Sequence, residues 1–407
     1  MKRTEITIAG DSPGTSHQLT RFDIGPDDPT LPKIFLQAGL HAGEQPGMMI
    51  LHHLLAMLEA GEQSGRLRAR FVIFPMSNPI GMGQVGLHHH QGRYHLRSGL
   101  NFNRGWFDLF EMLVENGGLT NLAAALLSGS SDSSESSGSS DNAAHNTAII
   151  RQAVRAALDA CQPVTALDHQ RLHVAREACD SDVVLDLHCD DASLSHIFIV
   201  PQLMPGAQDL SDWVGAAATL TAEDSGGGSF DEVWPGLWIK LARHLPDHAI
   251  APPPLAATLE YRGYCDVDDE MNRQDAQNLM GFFMGRGYVD AVPAVTPPTP
   301  SPSPSPSPSP SPAPLPLSAT EIVVADRPGL LAYNVRLGDI VSVGDVIADL
   351  ITLDGPTAFV ERHPLCAGTD GLILSLRCLK YVGPGDTVAK VVGSKPLANR
   401  TGYLLEM

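Results

Sequence analysis

The sequence predicts an α/β protein with a small all-β domain added after it, and three features predict this. Before residue 291, near-continuous apolar runs of strand length alternate with stretches of 3.6-residue apolar spacing, the pattern of a sheet covered by helices on both faces. After residue 319 the apolar runs become short and are broken by Gly-Asp turns. Between the two lies a Ser/Pro-rich stretch, TPPTPSPSPSPSPSPSPAPLP from Thr296 to Pro316. Proline at every second position fixes φ and favours polyproline II, so this segment reads as a semi-rigid spacer rather than as an SH3 ligand. The 407 residues therefore divide into a domain over 1–291, a linker over 292–318 and a β domain over 319–407.

Taken in order, Lys33–Leu40 (KIFLQAGL) predicts a buried strand, and Glu44–Ala60 (EQPGMMILHHLLAMLEA) a helix opened by Pro46. Arg70–Pro75 (RFVIFP) predicts the next strand. Residues 128–142 (SGSSDSSESSGSSDN) contain no apolar residue and predict a flexible surface insertion. Asn146–Ala160 is periodic and helical; Val183–Leu187, His196–Val200 and Ala257–Tyr261 predict further strands. In sheets of this kind, function gathers at the carboxyl ends of the strands.

Composition narrows the function. Lys and Arg number 27 against 46 Asp and Glu, a net charge of −19 that disfavours nucleic acid or an anionic membrane as partner. No apolar run reaches membrane-spanning length, and MKRTEITIAG lacks the apolar core of a secretory signal. Six cysteines without a CxxC pair read as reduced thiols of a cytoplasmic protein.

The chemistry-bearing residues fall at strand ends. KIFLQAGL runs into His41-Ala42-Gly43-Glu44, and a His and a Glu three apart on a turn can present a nitrogen and a carboxylate to one point. VVLDL is followed by His188, so two His and one Glu become available, a common catalytic zinc set that leaves one position open for water. Asp186 leaves the same strand face as His188 and is a candidate to orient a ligand. Glu260, in ATLEYRG, sits near the end of another strand; it is either a general base beside the metal or a glutamate paired with Arg262. Residues 92–108 (GRYHLRSGLNFNRGWFD) place Asn103 and Arg104 together, with Arg93 and Arg97 upstream. Arginine grips a carboxylate bidentately and Asn adds a donor, so the loop suits an anionic substrate, the alternative being a surface ion-pair loop.

HAGE, Asn78-Pro79, Asn103-Arg104, DLHCD and LEYRG, in that order over about residues 30–290, resemble the succinylglutamate desuccinylase/aspartoacylase family of the zinc carboxypeptidase (M14-like) superfamily. The resemblance implies a carboxypeptidase-like α/β/α fold with a mixed central sheet. It further implies one zinc ion (Zn2+) on His41, Glu44 and His188, with Glu260 catalytic and Asn103 and Arg104 binding a substrate carboxylate. The arginine that polarises the scissile carbonyl is Arg93 or Arg97, with Arg93 preferred. Relatives are often dimers, which makes a homo-oligomer an expectation.

Gly338-Asp339, Gly344-Asp345 and Gly385-Asp386 punctuate a region that resembles the barrel-sandwich fold of biotinyl and lipoyl domains. The tip Thr352–Pro356 has no lysine, so no carrier attachment is expected there. His88-His89-His90 with His95 read as solvated loop histidines, His169 and His173 as a surface pair, and Cys189 as a packed thiol; His196 is left unassigned. The expected activity is zinc-dependent hydrolysis of the amide of a small N-acyl amino acid or a related carboxylated amide. A peptide carboxypeptidase is the nearest rival, and a non-catalytic ligand-binding protein is the reading from another class.

Overall fold

A nine-stranded mixed sheet forms the centre of the computed structural model, which describes residues 1–115, 118–129, 137–291 and 311–405. Its strands are β1 (Lys2–Ala9), β2 (Ser16–Ile24), β3 (Lys33–Ala38), β4 (Arg70–Phe74), β5 (Val183–Asp190), β6 (His196–Ile199), β7 (Ala218–Thr221), β8 (Leu255–Gly263) and β9 (Leu315–Pro316). They lie in the order β1-β2-β4-β3-β5-β8-β6-β7-β9. The centre is parallel, with β4, β3, β5 and β8 aligned, while β1, β2 and the β8/β6 pair run antiparallel.

Every residue of β3 is buried, which is why its sequence shows an unbroken apolar run. Alternation then sorts the side chains. Leu36 and Leu185 pack with Leu54 and Leu58 of α1 (Pro46–Gln63) and Phe282 of α5 (Asp269–Gly285) on one face. Phe35 and Val184 pack on the other with Val154 of α2 (Ser137–Ala160), Leu172 of α3 (Ala166–Ala178) and Trp234 of α4 (Phe230–His244). The result is the expected α/β/α layering. No described helix is long and apolar enough to cross a membrane.

Two boundaries differ from expectation. The Ser-rich insertion does not stay a loop: residues 130–136 lie outside the described residues, but from Ser137 the chain is already in α2. Of the Ser/Pro spacer, residues 292–310 lie outside the described residues, and Leu315–Pro316 join the central sheet beside β7 instead of acting as linker.

Residues 320–392 form two facing antiparallel sheets around their own apolar core of Val323, Leu331, Ile347, Ile373 and Val391. The strands are β10 (Thr320–Val324), β11 (Gly329–Tyr333), β12 (Ile340–Val341), β13 (Val346–Ile351), β14 (Arg362–Cys366), β15 (Gly371–Leu376), β16 (Tyr381–Val382) and β17 (Thr387–Val392). One sheet runs β10-β17-β15-β12 and the other β14-β13-β11-β16. The short Ala192–Ser193 segment after β5 adds to the edge of β15, so the β domain is hydrogen-bonded to the segment that follows His188.

Candidate active site and metal centre

His41 and Glu44 lie in the turn between β3 and α1. Asn78 fixes that turn: its Nδ2 donates to the Leu40 carbonyl at 2.7 Å, while its Oδ1 accepts from Gly81 N at 2.7 Å. His188 lies within β5, which runs three residues past the expected end. His41 Nδ1 is 2.9 Å from Glu44 Oε1 and His188 Nδ1 is 2.6 Å from Glu44 Oε2, and one ligand atom from each residue falls within 4.8 Å of the others. Ligand atoms about 2.0–2.2 Å from a tetrahedral ion stand roughly 3.4 Å apart, so the three converge about as a divalent cation requires.

The outer ring nitrogens are also engaged. His41 Nε2 is 2.7 Å from Asn101 Oδ1, and His188 Nε2 is 3.0 Å from Asp186 Oδ2. On His41, which burial keeps neutral, the acceptor at Asn101 places the ring proton on Nε2 and turns the Nδ1 lone pair inward, whereas both nitrogens of His188 face carboxylates. Burial pushes His41 down toward the neutral form a metal needs. Burial opposes charge on Glu44, yet His41 and His188 hold its carboxyl well below the usual range. For His188 burial likewise opposes the charge, but Asp186 and Glu44 hold the ring well above the ordinary histidine value. This donor set, with two oriented imidazoles and an ionised carboxylate, fits zinc.

Glu260 sits on β8 in register with His188 of β5 on one side and His196 of β6 on the other. Glu260 lines the cavity together with His41 and His188, and its Oε2 is buried with no hydrogen-bond partner among the described residues. Burial, reinforced by the Glu44 charge, pushes it up to about 8. The alternative pairing with Arg262 does not occur. A register shift between Glu260 and Gly263, with Arg262 at φ 60°, turns that arginine away to Asp275, where Nη1 is 3.1 Å from Oδ1. An irregularity at this position re-aims side chains beside a site.

The loop from Gly92 brings Arg93 Nη1 to 3.0 Å from Glu44 Oε1 and 3.3 Å from His41 Nδ1. Arg97 points elsewhere, to Asp11 at 3.0 Å, with 66% of its side chain exposed. Asn103 and Arg104 line the same cavity. Asn103 Oδ1 accepts from Phe230 N at 2.8 Å at the start of α4, which leaves its Nδ2 as the donor for a ligand. Arg171 Nη2 donates to the Arg104 carbonyl at 2.6 Å and Nη1 to Gly105 O at 3.1 Å, so the loop backbone is held from α3.

The cavity measures about 710 Å³, and residues of the β domain complete its wall. Lys390 Nζ reaches from β17 to Asp190 Oδ2 at 2.6 Å. Burial works against the Asp190 charge, but Lys390 and His196 bring it down to about 2, while burial brings His196 down to about 4. His196 is fully buried and lies outside the cavity lining. His95 is buried against Phe102 rather than solvated, and His169 and His173 are half-buried rather than on the surface. Sequence reasoning missed Asn101 and Lys390. For Asn101 the only signal was alternation in LNFNRG, which sets it on the same side as Asn103.

No family model matches the chain, and no curated protein matches it significantly in sequence. Solved structures do match. One, named a succinylglutamate desuccinylase/aspartoacylase of Shewanella frigidimarina NCIMB 400, superposes with a TM-score of 0.74 at 18% identity, covering 96% of this chain and 97% of that one. A family protein of Shewanella amazonensis SB2B gives 0.74 at 19% identity over 96% and 98% of the two chains. The product-bound ectoine utilization protein of Ruegeria pomeroyi gives 0.58 at 14% identity over 97% and 95%. Over nearly its whole length, the chain therefore has the fold of succinylglutamate desuccinylase/aspartoacylase family proteins.

Proposed function

We propose that the protein is a zinc-dependent amidohydrolase that cleaves the amide of a small N-acyl amino acid or a related carboxylated amide, with one zinc per chain. The observation that carries this reading is the convergence of His41, Glu44 and His188 beside a cavity that His41, His188 and Glu260 line. A divalent ion held by these three would supply a Lewis acid for the amide carbonyl and lower the pKa of water. Arg93, 3.0 Å from Glu44, is set to donate to the carbonyl oxygen as charge develops on it. Glu260, which lines the cavity with His41 and His188, takes a proton from the attacking water and returns it to the leaving amine nitrogen. The products are a carboxylic acid and an amine. Asn103 Nδ2 and the Arg104 guanidinium hold a carboxylate of the substrate and exclude its free rotation.

The fold neighbours carry desuccinylase and aspartoacylase names, which favours deacylation over peptide cleavage. Walls contributed by the β domain favour small substrates for the same reason. The partner in this reading is a small carboxylated amide in the cytoplasm, with no nucleic acid or membrane. The test is metal analysis of the purified protein, then a screen of N-acyl amino acids against dipeptides with the zinc-loaded native chain and Glu260→Gln. Zinc near one per chain and N-acyl hydrolysis lost in the variant support the reading. Cleavage of dipeptides alone would assign a carboxypeptidase, and absence of turnover on either class would assign a ligand-binding protein.

A further inference from the structure

Arg93, Asn103, Arg104 and Glu260 account for an amide and one carboxylate, yet the cavity they line measures about 710 Å³, a size that takes drug-sized ligands. The register of the central sheet shows what the remaining floor is made of. Residues paired across neighbouring strands share a face, and Asp186 of β5, Thr258 of β8, Phe198 of β6 and Leu220 of β7 form one such row. Thr258, Phe198 and Leu220 line the cavity. From β5, the strand of His188, to β7 the row crosses three strand spacings, about 14 Å. Along it the side chains change from carboxylate to hydroxyl to hydrocarbon.

Phe198 and Leu220 belong to one apolar cluster with Leu317, Leu404 and Leu405, and these three line the cavity as well. Leu404 is tied to the loop after β7, its N donating to Ser225 O at 2.7 Å. The cations on this part of the lining are engaged within the protein. Lys390 Nζ is 2.6 Å from Asp190 Oδ2, Arg377 Nη2 is 3.4 Å from Asp386 Oδ2, and Arg400 Nη2 donates to the Leu404 carbonyl. What the row from Phe198 to Leu220 offers a ligand is therefore hydrocarbon surface, continuous with the cavity of the metal cluster, and an apolar chain that covers it leaves water on both sides. With the carboxylate of an amino acid on Asn103 and Arg104, the group across the scissile bond is the acyl group.

We propose that the row from Phe198 to Leu220, walled by Leu317, Leu404 and Leu405, is a subsite for a hydrocarbon chain on the acyl group, so that the preferred substrates are N-acyl amino acids with apolar acyl chains longer than acetyl. This rests on the amidohydrolase reading for the scissile amide but not for the binding of the chain. Two series probe it: alanine carrying acetyl, butyryl, hexanoyl or octanoyl groups, and the N-acetyl derivatives of alanine, norvaline and norleucine. The first lengthens the acyl chain and the second the side chain. kcat/KM is measured on the zinc-loaded full chain, and affinity by calorimetry on its Glu260→Gln variant. A fully buried methylene is worth about fourfold. The step from acetyl to hexanoyl is therefore expected to gain about tenfold or more in both readouts, with the side-chain series level within about threefold. Leu404→Asn makes the wall polar, and Ala222→Phe fills the lining just past β7; each should cut the hexanoyl-to-acetyl ratio by about tenfold. A flat or falling acyl series, a gain confined to the side-chain series, or a ratio untouched by both variants would overturn the proposal. If no member is hydrolysed, the amidohydrolase reading fails by itself, and the affinities still decide whether the subsite takes an acyl chain.

Discussion

Removing the Asn101 side chain tests whether the site is built to hold a metal, because Asn101 touches no ligand other than the outer nitrogen of His41. The contact is 2.7 Å long, between His41 Nε2 and Asn101 Oδ1, and the two residues are 5% and 3% exposed. Water has little access, so Asn101→Ala leaves a buried N–H without an acceptor at a cost of about 1–3 kcal/mol. The ring also loses the partner that fixes its tautomer. Loss of such an outer contact lowers metal affinity by roughly 10–100-fold, which corresponds to about 1.4–2.8 kcal/mol; the two estimates agree. Asn101→Asp keeps an acceptor for both His41 and the Asn103 amide, now 2.9 Å away, and should bind zinc within about threefold of the native chain. Zinc affinity is measured by competition with a chromogenic chelator, with circular dichroism to establish folding. A folded Asn101→Ala protein with native zinc affinity would refute the reasoning.

The other expectations are as follows. Glu260→Gln should lower kcat by roughly 10²–10⁴-fold with zinc content unchanged in metal analysis. Arg93→Ala should lower kcat/KM by about 10²-fold, whereas Arg97→Ala, which loses only a surface pair with Asp11, should stay within about twofold; steady-state kinetics compares the two. Lys390→Ala strands the part-buried Asp190 carboxylate and should cost about 1–3 kcal/mol in thermal or denaturant unfolding, with Asp190→Asn recovering most of it. His188 is held above the ordinary histidine value despite burial, so its ring carries a proton at neutral pH that must leave before Nδ1 can ligate. Zinc binding should therefore release a proton and strengthen by about tenfold per pH unit below that raised value. Calorimetry in two buffers of different ionisation heat reads the proton, and equal heats would contradict the assignment.

The cluster of His41, Glu44 and His188, which could hold a metal ion, was legible because the strands that carry it are buried on both faces. KIFLQA and VVLDL announce themselves as apolar runs, and a polar residue at the end of such a run stands out. Glu260 was legible for the same reason, but its freedom from Arg262 was not, since that depends on a local backbone irregularity and on Asp275 from another helix. The hairpin of β1 and β2 buries only Ile8, Leu19 and Ile24, too few apolar positions to mark a strand by run length. α2 begins inside a Ser-rich segment whose composition argues for a loop; packing of Ile150, Val154 and Leu158 later in the helix overrides it. His95 was misread because burial beside Phe102 is a tertiary fact with no local pattern.

Long-range polar contacts were the least visible, and they bear most on the role of the β domain. Lys390 and Asp190 are 200 positions apart in sequence, and neither residue type predicts the other at that separation. Yet Asp190 follows His188 of the candidate metal cluster by two residues, the Cys378 amide donates to Asp191 Oδ1 at 3.0 Å, and Ala192–Ser193 pair with Leu376 and Ser375. Three consecutive parts of the segment leaving the candidate metal centre are thus held by the β domain through an ion pair, a side-chain hydrogen bond and a strand ladder. A merely appended domain would not need a part-buried charge pair at its junction, because desolvating the partners offsets much of their attraction. Its cost is understandable if the junction fixes the orientation of the strand that presents His188 and keeps Asp190 ionised beside Glu260. On that argument the β domain is a structural part of the candidate active site, and its residues belong in any mutational map of the proposed chemistry.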